Sequence, residues 1–141
     1  RAIDDDRAAE QALRVAARRM GSVGVDLLYD KWVSTSDKTP TTQLARQLAY
    51  ESEVRRQASP SLEAVLALRE AKDCEETARK LPDLVLHGDQ RAVRILQPML
   101  SPLGCGPGKK EDCFPCLRQD TELLQAAYDS AKQRPGPRLI Y

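Results

Sequence analysis

The sequence predicts an all-α fold: a compact bundle or short HEAT-like solenoid of about six or seven helices with a cysteine-tied loop. Three observations carry that prediction. Apolar and alanine positions recur at helical spacing in successive segments. Capping residues, Gly and Pro punctuate those segments at regular intervals. Aromatic residues make up only 4% of the 141 residues, and β-branched residues are too scattered to line a sheet. The core is therefore built mostly from Leu, Val and Ala, which suits thin helices in close approach. A domain of this length buries roughly 68% of its unfolded surface, enough for a core without staples.

Asp4, Asp5 and Asp6 open the first helix, where carboxylates complement the positive end of the helix dipole. Ala9, Ala12, Leu13, Ala16 and Met20 continue it, and Gly21 stops it. Ser22 is a candidate cap for the second helix, in which Val25, Leu28, Tyr29 and Trp32 form the clearest stripe of the chain. Ser34 to Thr39 reads as a polar loop. Thr39-Pro40 then reads as N-cap and first helical residue, with Leu44, Ala45, Leu48, Ala49 and Ser52 on one small-residue face. Ser59-Pro60 repeats the start signal, and Leu62, Val65 and Leu66 mark the buried side of the next helix. Asp73 and Glu76 have capping-box spacing, with Asp in place of Ser or Thr. Pro82 is expected to end or kink that helix, and Gly88-Asp89 punctuates again. Val93, Leu96 and Leu100 form the next stripe, distorted at its end by Pro98.

Residues 101–119 are different in kind, because Gly, Pro and three cysteines interrupt any regular element. The last helix starts at Asp120 and carries Leu124, Ala127, Tyr128 and Ala131. The expected organisation is one helical domain over 1–133, containing the loop 101–119, with an extended tail over 134–141. No strict internal repeat is visible, although Ser61 to Leu100 reads as two helical hairpin halves of the kind stacked in solenoids. The chain opens on Arg1 rather than Met, so it is expected to be a piece of something longer.

Charge excludes several function classes. The 22 Lys and Arg balance 21 Asp and Glu, for a net charge of +1, which leaves no global field to draw in nucleic acid or an anionic membrane. Arg14, Arg18 and Arg19, and Arg55 with Arg56, make local basic faces. Glu51 and Glu53 offset the second of these, and stacking aromatics are missing from both. Nucleic acid is accordingly not an expected partner. No apolar run approaches the roughly 18 residues of a membrane span.

The residues with chemistry to offer are Cys74, Cys105, Cys113 and Cys116. The helices beginning near Asp73 and Asp89 are expected to pack antiparallel, which places Cys74 beside the loop that carries the other three. That convergence allows three readings. Two disulfides would tie a loop too rich in Gly and Pro to pack by itself. Zinc held by all four thiolates would do the same work. A CxxC at a helix start could instead be a redox pair, since a helix N-terminus lowers a thiol pKa. One CxxC with a remote fourth ligand weakens zinc, and the lack of a βαβ unit weakens the redox reading. For disulfides, Cys113–Cys116 closes a very short ring. The favoured pairing is Cys105–Cys113 with Cys74–Cys116, and Cys74–Cys105 is its close competitor.

Other candidates have plainer readings. His87, the only histidine, sits at an expected helix end. Tyr29 and Trp32 are core residues by spacing, and the alternative role is contact with a protein partner, since such residues concentrate in binding hot spots. Gly104 to Lys110 superficially suggests a phosphate loop but lacks the GK[ST] ending and a preceding strand. The aspartates at 4–6 read as a solvated helix start rather than a cation site. No nucleophile elbow, P-loop, GxGxxG or HExxH occurs, so no catalytic residue is assigned.

Several runs together resemble a known module: Gly24 to Val33, Val54-Arg55-Arg56 with Ala58 to Leu62, Asp73-Cys74-Glu75-Glu76, Gly104 to Pro107, and Asp112 to Arg118. They are similar to a cysteine-containing helical module near the C-termini of myxobacterial proteins, some of which resemble eukaryotic-like Ser/Thr kinases. The resemblance spans roughly residues 24 to 132. It implies an accessory part, because the HRD, DFG and Gly-rich kinase motifs do not occur. It also implies a place beyond a membrane span, outside the cytosol, which would suit disulfides; a zinc site would instead suit the cytoplasm. The expected function is a non-enzymatic protein-interaction, sensor or accessory domain without a cofactor. The alternative is a small zinc-binding or thiol redox protein acting through the four cysteines.

Overall fold

The chain is described by a computed structural model covering residues 2–34 and 39–139. The side chains of Asp4 and Asp5, residues 35–38 of the expected Ser34–Thr39 loop, and Tyr141 lie outside the described residues. The fold is all-α. Eight α-helices occur among the described residues: α1 (Ala2–Arg19), α2 (Gly21–Ser34), α3 (Pro40–Tyr50), α4 (Ser52–Arg55), α5 (Pro60–Glu70), α6 (Cys74–His87), α7 (Gln90–Leu96) and α8 (Thr121–Gln133). Short 3-10 turns lie at Gln97–Leu100, Pro107–Lys109 and Pro115–Asp120. The only extended pairing among the described residues is an isolated bridge between Cys105 and Glu111.

The helices group into two compact units, one holding the residues up to Ser59 and the other spanning Pro60–Gly136. In the first, α1, α2 and α3 pack on one another. Ala16, Ala17, Val25, Leu28, Tyr29, Ala45, Leu48, Ala49 and Val54 are buried there. Gly21 has φ +57° and turns the chain between α1 and α2, a conformation that glycine adopts without steric cost. Gly24 does something else: a Cβ there would collide with the Ala16 carbonyl, so its lack of a side chain sets how closely α1 and α2 approach. The Thr39 hydroxyl caps α3 by accepting from the Thr42 amide at 3.1 Å, with Pro40 as the first helical residue. The short α4 had no sequence signal. Ser22, expected as a cap, lies inside the first turn of α2.

In the second unit α6 packs against α5 and α8, and α7 packs against α8 and α5. Leu62, Val65, Leu66, Leu81, Leu84, Ala92, Leu96, Leu124, Ala127 and Ala131 form its core. Asp73, Asp89 and Asp120 cap α6, α7 and α8 by accepting from the amides of Glu76, Arg91 and Leu123. Pro82 does not end its helix; α6 runs through it to His87. The ring removes one backbone bond, and buried Leu81 and Leu84 on either side keep the helix intact. Downstream, Pro98 falls where α7 gives way to a 3-10 turn, and the buried positions there are Ala92, Leu96 and Met99, with Val93 and Leu100 half-buried.

Gly24→Ala is expected to destabilise the first unit by about 1–3 kcal/mol, the range for overpacking a tight contact. Gly21→Ala, where nothing lies within 4 Å of an added Cβ, is expected to lose only about 1 kcal/mol, from the left-handed backbone alone. Urea melts of the two variants check the difference.

Candidate functional site

Cys74 is the first residue of α6, directly after its Asp73 cap. Cys116 lies in the 3-10 turn Pro115–Asp120, which packs on α6 and leads directly into α8. Leu117 beside it is 2% exposed and anchors that turn in the core. The two cysteines form a disulfide with Cα atoms 6.0 Å apart. Cys105 and Cys113 form the second disulfide, with Cα atoms 5.2 Å apart. The favoured pairing is therefore the one present, and its competitor Cys74–Cys105 is not. With every cysteine in a disulfide, the chain in this state has no thiolate to offer a zinc ion. No group of three or more potential metal ligands occurs among the described residues.

The route by which Cys74 reaches the loop is not a direct α6–α7 pairing. The helices α6 and α8 are tied at both ends. At their starts Cys74 is bonded to Cys116. At their far ends Arg134 donates to the carbonyls of Val85 and Gly88 at 2.9 and 3.2 Å. The two helices therefore run parallel. Between them in sequence, α7 runs back: Gln90 donates to the Arg134 carbonyl at 2.9 Å at one end. At the other, Arg118 donates to the carbonyls of Met99 and Ser101 at 2.7 and 2.6 Å. The antiparallel direction expected for α6 and α7 is present, but the two are joined through α5 and α8.

Arg118 is the residue that sequence reasoning gave no role. Its Nη2 also reaches Asp112 Oδ1 at 3.3 Å. Its Nε lies 2.9 Å from Asp112 Oδ2 as an ion pair without hydrogen-bond alignment. Asp112 in turn accepts from the Phe114 amide at 2.8 Å. One guanidinium thus gathers both ends of the loop onto its base, a task suited to its forked donors. An Asp at Cys113's flank and a lone Arg after the CxxC were the available signals, and neither specifies backbone carbonyl partners.

The loop itself is closed by the Cys105–Glu111 bridge, with N–H···O distances of 2.9 and 2.8 Å. Gly104 donates to Lys109 O and Lys109 to Gly106 O. Gly106 has φ +73°, and a Cβ there would strike the Glu111 carboxylate. Every residue from Ser101 to Glu111 is exposed.

Tyr29 and Trp32, the other sequence candidates, are placed differently. Tyr29 is 1% exposed and packs edge-on against Trp32 at 5.4 Å. Its side chain is core and presents no surface to a partner. Trp32 is half-buried, edge-on to Tyr50 at 5.5 Å, with the Arg46 guanidinium 5.5 Å from its ring. His87 is exposed in the last turn of α6. No helix among the described residues is long and apolar enough to cross a membrane. The chain matches no protein-family model, no curated protein and no solved structure.

The two disulfides close chain segments of very different length, with sequence separations of 42 and 8. The chain-entropy relation gives about 4 kcal/mol for the longer closure and about 2.6 kcal/mol for the shorter. Replacing Cys74 and Cys116 together by Ser is therefore expected to destabilise the second unit more than replacing Cys105 and Cys113. Denaturant titration of the two double variants checks the order.

Proposed function

We propose that this chain is a non-enzymatic interaction or sensor module of a larger protein, stabilised by two disulfides in an oxidising, extracytoplasmic compartment. The observation that supports it most directly is the loop from Ser101 to Glu111. It is exposed along its whole length, so its order adds little to the core. It is nevertheless fixed by a disulfide, a two-bond bridge and the Arg118 clasp. A surface whose shape is set in advance meets the entropy of ordering before a partner arrives. Binding residues also concentrate on loops carried by rigid scaffolds.

The cysteines support the compartment, because disulfides persist in oxidising surroundings and are rare in the cytosol. The resemblance to the C-terminal module of myxobacterial proteins supports an accessory place beside another domain. The partner is a protein. The contact surface is polar and carries Leu103, Lys109, Lys110 and Glu111 in place of Tyr29 and Trp32.

A photo-crosslinking residue at Leu103, which is 55% exposed, tests this in the full-length parent within its native host. The control is the same residue at exposed Asp129 on α8. A discrete protein adduct from position 103 alone, with Cys74 and Cys116 resisting alkylation in the same cells, is expected. Alkylatable Cys74 or Cys116 in the cell, or adducts equal at both positions, would contradict the proposal.

A further inference from the structure

We infer that Cys105–Cys113 is a redox-operated latch: its reduction opens the exposed loop while Cys74–Cys116 keeps the helices together. The unequal access of the two disulfides carries this, independently of the proposed interaction role. Thiol–disulfide exchange requires that an attacking thiolate reach a sulfur, so access ranks the two bonds. Cys105 is exposed, whereas Cys74 and Cys116 are both half-buried in helix packing. Within the outer bond the two sulfurs also differ. Cys113 is half-buried where Cys105 is exposed. The attack therefore falls on Cys105.

The step balances with a dithiol reductant. Its thiolate attacks Cys105 Sγ, forming a mixed disulfide and releasing Cys113 as a thiolate, which takes up a proton. The second thiol of the reductant then displaces Cys105, which is protonated in turn. The reductant leaves as its own disulfide, having supplied both electrons.

The loop's geometry sets its response to cleavage of the bond. Lys109 has φ +55°, and Gly104, Gly106 and Gly108 also have positive φ. A lysine holds that conformation only where its surroundings impose it. The imposing contacts, from Gly104 to Glu111, lie almost entirely within the ring that the disulfide closes. Opening the ring frees Lys109 and Lys110 to extend. The base stays in place, because Arg118 still holds Met99, Ser101 and Asp112, and Cys116 remains bonded to Cys74. An extended Lys-Lys segment fits the cleft of a trypsin-like protease, and the closed turn does not.

The test uses the purified oxidised chain, dithiothreitol in steps, iodoacetamide quenching and site-by-site mass mapping, with brief trypsin treatment of each sample. Cys105 and Cys113 are expected to alkylate before Cys74 and Cys116, with the helical circular dichroism unchanged. Cleavage after Lys109 or Lys110 is expected to accelerate by about one to two orders of magnitude, because removing so short a closure raises the open population by that much. The Cys105→Ser/Cys113→Ser variant should show the fast cleavage without reductant and keep its helical signal. Simultaneous labelling of all four cysteines, earlier labelling of Cys74 and Cys116, unchanged cleavage on reduction, or a double variant without helical structure would each overturn the inference.

Discussion

Everything in the second unit depends on holding two parallel helices, α6 and α8, in register. Parallel neighbours cannot be joined by a short turn, because the chain must travel the length of the helix to start again. Here the return journey is α7 and the cysteine-rich loop. The covalent bond between Cys74 and Cys116 fixes the starting ends, and Arg134 on the carbonyls of Val85 and Gly88 fixes the finishing ends. Leu81 and Leu84 of α6 and Leu124, Ala127 and Ala131 of α8 are buried, and the two helices pack on each other. The disulfide sets the register at which they meet.

Two arginines and two disulfides divide the labour by location. Arg134 satisfies carbonyls at the end of α6 that the helix itself leaves without partners. Arg118 does the same for the turn after α7 and also pairs with Asp112. Buried Asp89, 3% exposed, caps α7 and takes a close ion pair from Arg91 at 2.6 Å. These charged groups act mainly on backbone termini, which is where a charge-assisted hydrogen bond contributes most. The exposed loop lies beyond this framework, attached at its base and shaped by its own ring.

Much of this was legible in the residues. Asp73, Asp89 and Asp120, and the pair Thr39-Pro40, announce helix starts because capping is a local interaction. The stripes through Leu28, Leu48, Leu66 and Leu124 report burial for the same reason. The disulfide pairing was legible only in part: ring size spoke against Cys113–Cys116, but the same hairpin argument that brought Cys74 to the loop left Cys74–Cys105 a close competitor of the pairing present. Less local facts were not. Which helices touch depends on the whole packing, so α6 and α7 looked like direct neighbours. Pro82 suggests an end or a kink because tertiary packing around Leu81 and Leu84, which lets α6 run on to His87, has no signature in sequence. Tyr29 and Trp32 share one stripe, yet one is core and the other half-buried under Arg46. Arg118 and Arg134 were silent because their partners are carbonyls, which every residue carries.

The covalent register of α6 against α8 is the central claim, and disulfide mapping tests it most directly. The oxidised chain is denatured, digested without reductant and fragmented between Cys113 and Cys116 in a mass spectrometer. We predict Cys74 linked to Cys116 and Cys105 linked to Cys113. A Cys74–Cys105 link with Cys113–Cys116, or four free thiols in the native chain, would contradict it.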